Sequence, residues 1–200
     1  AYAVHDLQSD GDKLYNFSRE TENQGTSDYG VIFASTSKIT FAGAGISFLS
    51  TGDKTLSDFE KYLGTQMIGF DKVNQLRHVK FLSNLEETKR LMAKHREILK
   101  PKFDLVLDTL EKKLGKSRVA KWTYPKGGYF ISLDTLPGLA KRTVQLALEL
   151  GVRLTPAGAT FPYGEDPNDS NIRIAPSYPK LEELKKAADA MDWCHRTSTP

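Results

Sequence analysis

A single cysteine, Cys194, stands among the 200 residues, so the chain closes no disulfide within itself and builds no cysteine-based metal site. Its four histidines, His5, His78, His95 and His195, are scattered with no H-x-x-x-H spacing, which argues against zinc. No run approaches the roughly 20 apolar residues of a transmembrane helix. No basic start leads into an apolar stretch, so no signal peptide is visible, and the chain reads most simply as cytoplasmic. A net charge of only +3 lacks the strong basic bias of a nucleic-acid-binding domain. Internal repeats and low-complexity segments are missing too.

What is present suits a folded chain. Hydrophobic residues make up 39% and aromatic residues 10%, too many for a disordered segment. Charge is uneven: residues 1–37 carry a net of −4, and residues 72–126 a net of +9. The basic residues of the second stretch alternate with Glu86, Glu87, Glu97, Asp104 and Glu111 at helical spacings, which suits surface ion pairs. An anionic partner is the other reading.

Residues 8–28 are polar and read as a long loop. Val31–Ala34 reads as a buried strand and Ile46–Ser50 as a second. Helices are predicted over 56–63, with Thr55 or Ser57 near the start, and over 71–82, capped by Asp71. The longest apolar period runs from 84 to 114, with a capping box at Asn84–Glu87; Pro101 should kink or split it. A hairpin of 119–123 and 128–133, a helix over 137–150, a strand at 152–155, a loop over 156–170, a strand at 171–175 and a helix over 181–194 complete the pattern. The tail from His195 reads as frayed. Residues 91–200 thus read as a compact α+β domain, while 1–90 supply too few strands for a sheet of their own.

Ser35-Thr36-Ser37-Lys38 is the most informative stretch. It puts a lysine at the carboxyl end of a strand, where open α/β sheets place their ligands. The two serines and the threonine are candidate phosphate donors, and Gly43 and Gly45 permit close backbone approach. The glycines follow the lysine, which excludes a Walker A loop. A surface lysine at a strand end fits these residues as well. Arg173 alternates with Ile172 and Ile174, so it points away from two buried side chains and is a candidate carboxylate clamp, or a solvent-facing arginine. Gly127-Gly128 beside Tyr129-Phe130 marks either a hairpin turn or close approach of a ligand or another backbone. Pro156-Ala157-Gly158 and Phe161 form a turn shortly before Arg173.

Taken in order, these blocks resemble fold-type I pyridoxal-phosphate enzymes, the class I aminotransferases. Ser35-Thr36-Ser37-Lys38 resembles their Schiff-base motif. Pro125-Lys126-Gly127-Gly128-Tyr129-Phe130 resembles their Pro-x-Gly-Gly-aromatic strand, and Pro156-x-Gly158-x-x-Phe161 with Asn171-Ile172-Arg173-Ile174 their closing signature. With Asp71–His78, the set is most similar to a bacterial subgroup of aspartate aminotransferases, and the resemblance covers residues 1–193.

The resemblance implies an α/β fold in which 1–90 are the closing part of the large cofactor-binding domain and 91–200 the C-terminal small domain. It implies a pyridoxal 5'-phosphate-dependent aminotransferase of aspartate:2-oxoglutarate type. Lys38 would be the catalytic, partly buried Schiff-base lysine. Ser35 and Ser37 would bind the cofactor phosphate, Tyr2 the ring oxygen, and Arg173 the substrate α-carboxylate. Amino acids and 2-oxo acids would be the substrates, in a cytoplasmic homodimer that uses neither metal, nucleic acid nor membrane. Ser47 stands near the position where many class I enzymes carry a phosphate-binding arginine. Arg77 is a speculative contact for a side-chain carboxylate, or a structural ion pair. The family's remaining cofactor-binding residues would lie upstream of Ala1, so the 200 residues alone are expected to be inactive. Another pyridoxal-phosphate reaction such as a β-lyase, the cofactor-sensing domain of a transcription regulator, and an inactive scaffold are the alternatives.

Overall fold

The computed structural model describes residues 2–117 and 119–198, with side chains through residue 190. Among these residues the elements run α1 (Phe17–Asn23), β1 (Ile32–Ser35), β2 (Ser47–Ser50), α2 (Asp53–Gln66), α3 (Lys72–Leu82), α4 (Leu85–Leu114), β3 (Ala120–Trp122), β4 (Ile131–Thr135), α5 (Ala140–Glu149), β5 (Asn171–Ile174) and α6 (Leu181–Ser198). Contacts divide the chain into two compact units. One comprises residues through Val4 and Asp12–Ala93; the other comprises His5–Gly11 and residues from Lys94 onward.

In the first unit β1 and β2 pair antiparallel, with Ala34 opposite Phe48 and Ser35 opposite Ser47. The strand at 31–34 is therefore present, but it is not buried. Phe33 meets Phe59 of α2 at 6.2 Å between ring centroids and still stays 68% exposed. An apolar β-branched run signals a strand that needs a cover; within this unit the pair of strands supplies little of one. The polar stretch 8–28 is not all loop, because α1 forms there. It is set by the Asn16 side chain accepting from the Arg19 N–H at 3.1 Å rather than by an apolar face, and none of its residues is buried.

Helix α2 starts earlier than its apolar pattern suggests, and its cap comes from a distant residue. The Asp28 carboxylate accepts from the N–H groups of Lys54 and Thr55 at 3.0 and 3.3 Å, and the Thr55 hydroxyl donates to the Asp28 carbonyl at 2.7 Å. Asp71 caps α3 as expected, accepting from Asn74 N–H at 2.9 Å, and Asn84 caps α4 by accepting from Glu87 N–H at 2.9 Å. Pro101 lies inside α4 without splitting it. The Lys100–Asp104 ion pair at 2.7 Å and the buried Leu99 and Phe103 on either side keep the helix together across the missing N–H.

In the second unit the sheet order is β3-β4-β5, antiparallel throughout, with Trp122 opposite Leu133 and Ser132 opposite Arg173. Leu99, Phe103, Val106, Leu110 and Leu114 recur at steps of three and four along α4 and share one core with Ile131, Leu133, Ile172 and Ile174. Each such side chain contributes about 1.5–3 kcal/mol by leaving water. The strand expected at 152–155 does not form. Val152 N–H closes the end of α5 on the Ala147 carbonyl at 2.8 Å, and the ladder of β5 is with β4. The final helix continues past His195 to Ser198, where fraying was expected; Thr199 and Pro200 lie outside the described residues.

The hairpin loop between β3 and β4 is longer than expected because its glycines pair elsewhere. Gly128 N–H donates to the His5 carbonyl and Leu7 N–H to the Lys126 carbonyl, both at 2.8 Å, while Asp6 bridges Gly127. Arg96 Nη1 donates to the Gln8 carbonyl at 3.0 Å, and Leu7 is buried in the core. The diglycine thus serves the close approach of another backbone. A Cβ on Gly127 would stand 2.8 Å from the His5 carbonyl oxygen, and Gly128 sits at φ +85°. Gly127→Ala is expected to destabilise the protein by about 1–3 kcal/mol, read as a lowered midpoint in chemical denaturation; an unchanged midpoint would show that the 5–7 segment is not held by this contact.

Candidate active site

β1 ends at Ser35, and burial sorts what the turn after it presents. Thr36 points inward and is buried, whereas Ser37 and Lys38 are exposed and Ser35 is half-buried. The Ser35 and Ser37 hydroxyls lie 2.9 Å apart, and the Ser37 N–H donates to Ser35 Oγ at 3.3 Å. Ser47, the partner of Ser35 across the strand pair, carries its hydroxyl on the same face. Lys38 follows at once, so one strand end gathers three hydroxyls and an ammonium. The resemblance implies a partly buried Lys38; in this chain it is exposed.

The backbone of the turn is held from below. Thr36 N–H donates to the Ile46 carbonyl at 2.9 Å, and Thr36 Oγ1 accepts from Ile46 N–H at 2.9 Å. Ile39 and Thr40 N–H groups both return to the Thr36 carbonyl, at 2.8 and 3.0 Å. Thr36 is therefore a support and not a phosphate donor, which corrects the grouping of all three hydroxyls as ligand donors. Gly45 is required for a local reason as well: a Cβ there would lie 3.1 Å from Ser37 N and Cα. Underneath, His78 of α3 is 4% exposed. Its Nδ1 lies 2.9 Å from the Asn74 carbonyl, and its Nε2 lies 2.7 Å from Thr40 Oγ1 and 3.2 Å from Thr36 Oγ1. Neither the spacing of the histidines nor any apolar period singled out this residue.

Tyr2 is half-buried and belongs to the same unit as the turn. Arg77 is exposed with its guanidinium carbon 5.6 Å from the centroid of Phe41, a cation–π contact rather than an ion pair.

Arg173 belongs to the second unit. It is half-buried on β5, its guanidinium carbon stands 4.5 Å from the centroid of Phe130, and its Nε is buried with no hydrogen-bond partner among the described residues. A buried guanidinium N–H without a partner is costly, and an anion is the chemistry that would satisfy it. Beside it, Asn171 donates to Ser132 Oγ at 2.9 Å and to Asp134 Oδ1 at 2.6 Å, and accepts from Thr160 at 2.7 Å. The preceding loop is organised by Asp166, whose carboxylate accepts from the N–H groups of Asn168, Ser170 and Asn171 at 2.9, 2.7 and 2.8 Å.

A family model described as aspartate amino-transferase matches residues 1–199. The chain belongs to the aspartate aminotransferase family. A Mycolicibacterium smegmatis protein carrying an aminotransferase name is 48% identical over 194 residues, 97% of this chain and 45% of its own length. The crystal structure of an aspartate transaminase from Corynebacterium glutamicum superposes with a TM-score of 0.95 at 42% identity, covering 99% of this chain and 47% of that one. A Bacillus subtilis protein named as a helix-turn-helix-type transcriptional regulator is 32% identical over 96 residues, 48% of this chain. The chain thus spans about half the length of the aminotransferase-named relatives. The fold is that of the fold-type I pyridoxal-phosphate enzymes to which aminotransferases belong. The donor set fits the cofactor that the family implies: hydroxyls and an ammonium at the strand end suit a phosphate and an aldehyde, and no carboxylate lies within 35–40 to repel them.

The backbone N–H groups of Asn171 and Ser170 hold the Asp166 carboxyl below its ordinary value of 3.8. A lowered folded-state pKa means that this group stabilises the fold above the unfolded value and loses that contribution as pH falls through the folded one. Asp166→Asn is therefore expected to flatten the fall of stability with pH below about 4, measured by denaturation across an acid series; an unchanged slope would remove Asp166 as its source.

Proposed function

We propose that these residues serve a pyridoxal 5'-phosphate-dependent aminotransferase working between aspartate and 2-oxoglutarate. The observation that carries the reading is the turn itself: Lys38 directly follows two hydroxyls 2.9 Å apart at a strand end. Membership of the family supports it. In this reading residues 1–90 belong to the large cofactor-binding domain and 91–200 form the small domain. The enzyme is a cytoplasmic homodimer whose substrates are amino acids and 2-oxo acids.

When bound, the cofactor supplies the electron sink that acidifies the substrate Cα–H. Ser35 and Ser37 would donate to its phosphate, with Ser47 as a neutral donor where many relatives would use arginine. Tyr2 would donate its phenolic proton to the ring oxygen. Lys38 Nζ would hold the group covalently until the substrate amine replaces it; the freed amine would then take the proton from Cα and pass it, on the same face, to the cofactor's C4′ carbon. Arg173 would receive the α-carboxylate on its open Nε–H edge, with Phe130 keeping the guanidinium plane fixed, so that the Cα–H bond is oriented for transfer.

Lys38→Ala in the full-length protein is expected to lower transamination by about 1,000-fold or more and to abolish the visible absorbance of covalently held cofactor. Arg173→Lys is expected to raise KM for aspartate about 10- to 100-fold, because the paired hydrogen bonds are lost. Full turnover in Lys38→Ala would sink the reading. The match to a regulator favours one second reading, a domain that binds the cofactor as a sensor. Cofactor binding by the wild type without amino-group transfer to any of a panel of 2-oxo acids would decide for it.

A further inference from the structure

We infer that His78 is a positioning residue for Lys38, acting through the two threonines that bracket it. The inference rests on the aminotransferase reading above. Thr36 and Thr40 stand two residues before and two residues after Lys38, and a single imidazole reaches both hydroxyls, at 3.2 and 2.7 Å. The Asn74 carbonyl can only accept, so the neutral ring carries its proton on Nδ1. Nε2 is then an acceptor, with the Thr40 hydroxyl its nearer partner at 2.7 Å; Thr40 Oγ1 also lies 3.3 Å from Thr36 Oγ1, so the ring and the two hydroxyls form one cluster.

Each neighbour of the ring is fixed in turn. Asn74 donates from Nδ2 to the Ala44 carbonyl at 2.9 Å, which ties α3 to the loop before β2. Phe41 closes one side of the imidazole edge-on, with centroids 5.7 Å apart, and also packs against Phe81 at 5.2 Å. Thr36 Oγ1 passes the constraint on through Ile46 N–H to the strand that carries Ser47. The lysine thus sits at the crown of a five-residue turn whose two ends are tied to one buried ring. A hydroxyl at 36 or 40 released from that ring would let the crown relax, and a displacement of about 1 Å at a reacting atom costs on the order of 100-fold in rate.

The test uses three variants of the full-length protein. His78→Phe keeps the ring shape and loses both polar edges. His78→Gln puts an acceptor near the Nε2 position, and Thr40→Val removes the shorter of the two bonds. His78→Phe is expected to lower kcat for transamination about 30- to 100-fold with KM for aspartate within about twofold, and to speed hydrogen exchange of the amides of residues 37–40 about 10-fold in the cofactor-free protein. His78→Gln should recover about 10-fold of the lost kcat, and Thr40→Val should reproduce most of the loss. An unchanged kcat and unchanged exchange in His78→Phe would overturn the inference, as would a loss in which KM rises in step with the fall in kcat. If His78→Phe does not fold, Thr40→Val carries the test, and wild-type kcat and exchange there would overturn it. Absence of transamination in the wild type would instead strike the reading beneath; unaltered exchange in the variants would strike this inference alone.

Discussion

The arrangement at the end of β1 depends on one residue facing the wrong way for a ligand. Thr36 turns its hydroxyl into the protein, where it meets the Ile46 amide and the His78 ring. Thr36 stands just past the strand; with its hydroxyl turned inward, the flanking Ser35 and Ser37 hydroxyls meet each other at 2.9 Å. The strand end can then offer hydroxyls and an ammonium to an anion, although Ser35 Oγ also accepts from the Ser37 N–H at 3.3 Å. Support and presentation are divided between adjacent residues, and the glycine at 45 is what lets the supporting loop come close enough.

The second unit solves a different problem. Arg173 holds a cationic, half-buried head on β5. A stripe of α4 buries Ile172 and Ile174 on either side of it, which leaves the intervening side chain no choice of face. Phe130 then holds the guanidinium plane by cation–π contact, and among the described residues no acidic side chain pairs with it. A carboxylate there would satisfy the arginine permanently. The aromatic face orients the guanidinium without filling its Nε–H.

Much of this was legible in the residues. The caps at Asp71 and Asn84, the long period of α4 and the alternation around Arg173 are local features, and local features survive in a linear reading. Others depend on groups far away in sequence. The start of α2 is set by Asp28, α1 by a cap without an apolar face, and the failed strand at 152–155 by a donor already used at the end of α5. Lys38 and the serines stand out in the sequence because the family's motifs occur in a fixed order. His78 closes one of those blocks, Asp71–His78, but its place under the turn is seen only in the distances to Thr36 and Thr40. The burial expected of Val31 and Phe33 came from composition, which reports that a strand wants a cover and not whether one is at hand.

The segment from His5 to Gly11 has a bearing on the order of events in folding. It belongs to the second unit, yet the residues it pairs with, 126–128, are made some 120 positions later. At about 5–20 residues per second, synthesis leaves Leu7 without its core for roughly 6–24 seconds. The entropy of closing so long a loop grows only slowly with length, so the delay is a matter of time more than of equilibrium. During that interval the apolar side chain of Leu7 and the bare amides around it stay open to non-native contacts.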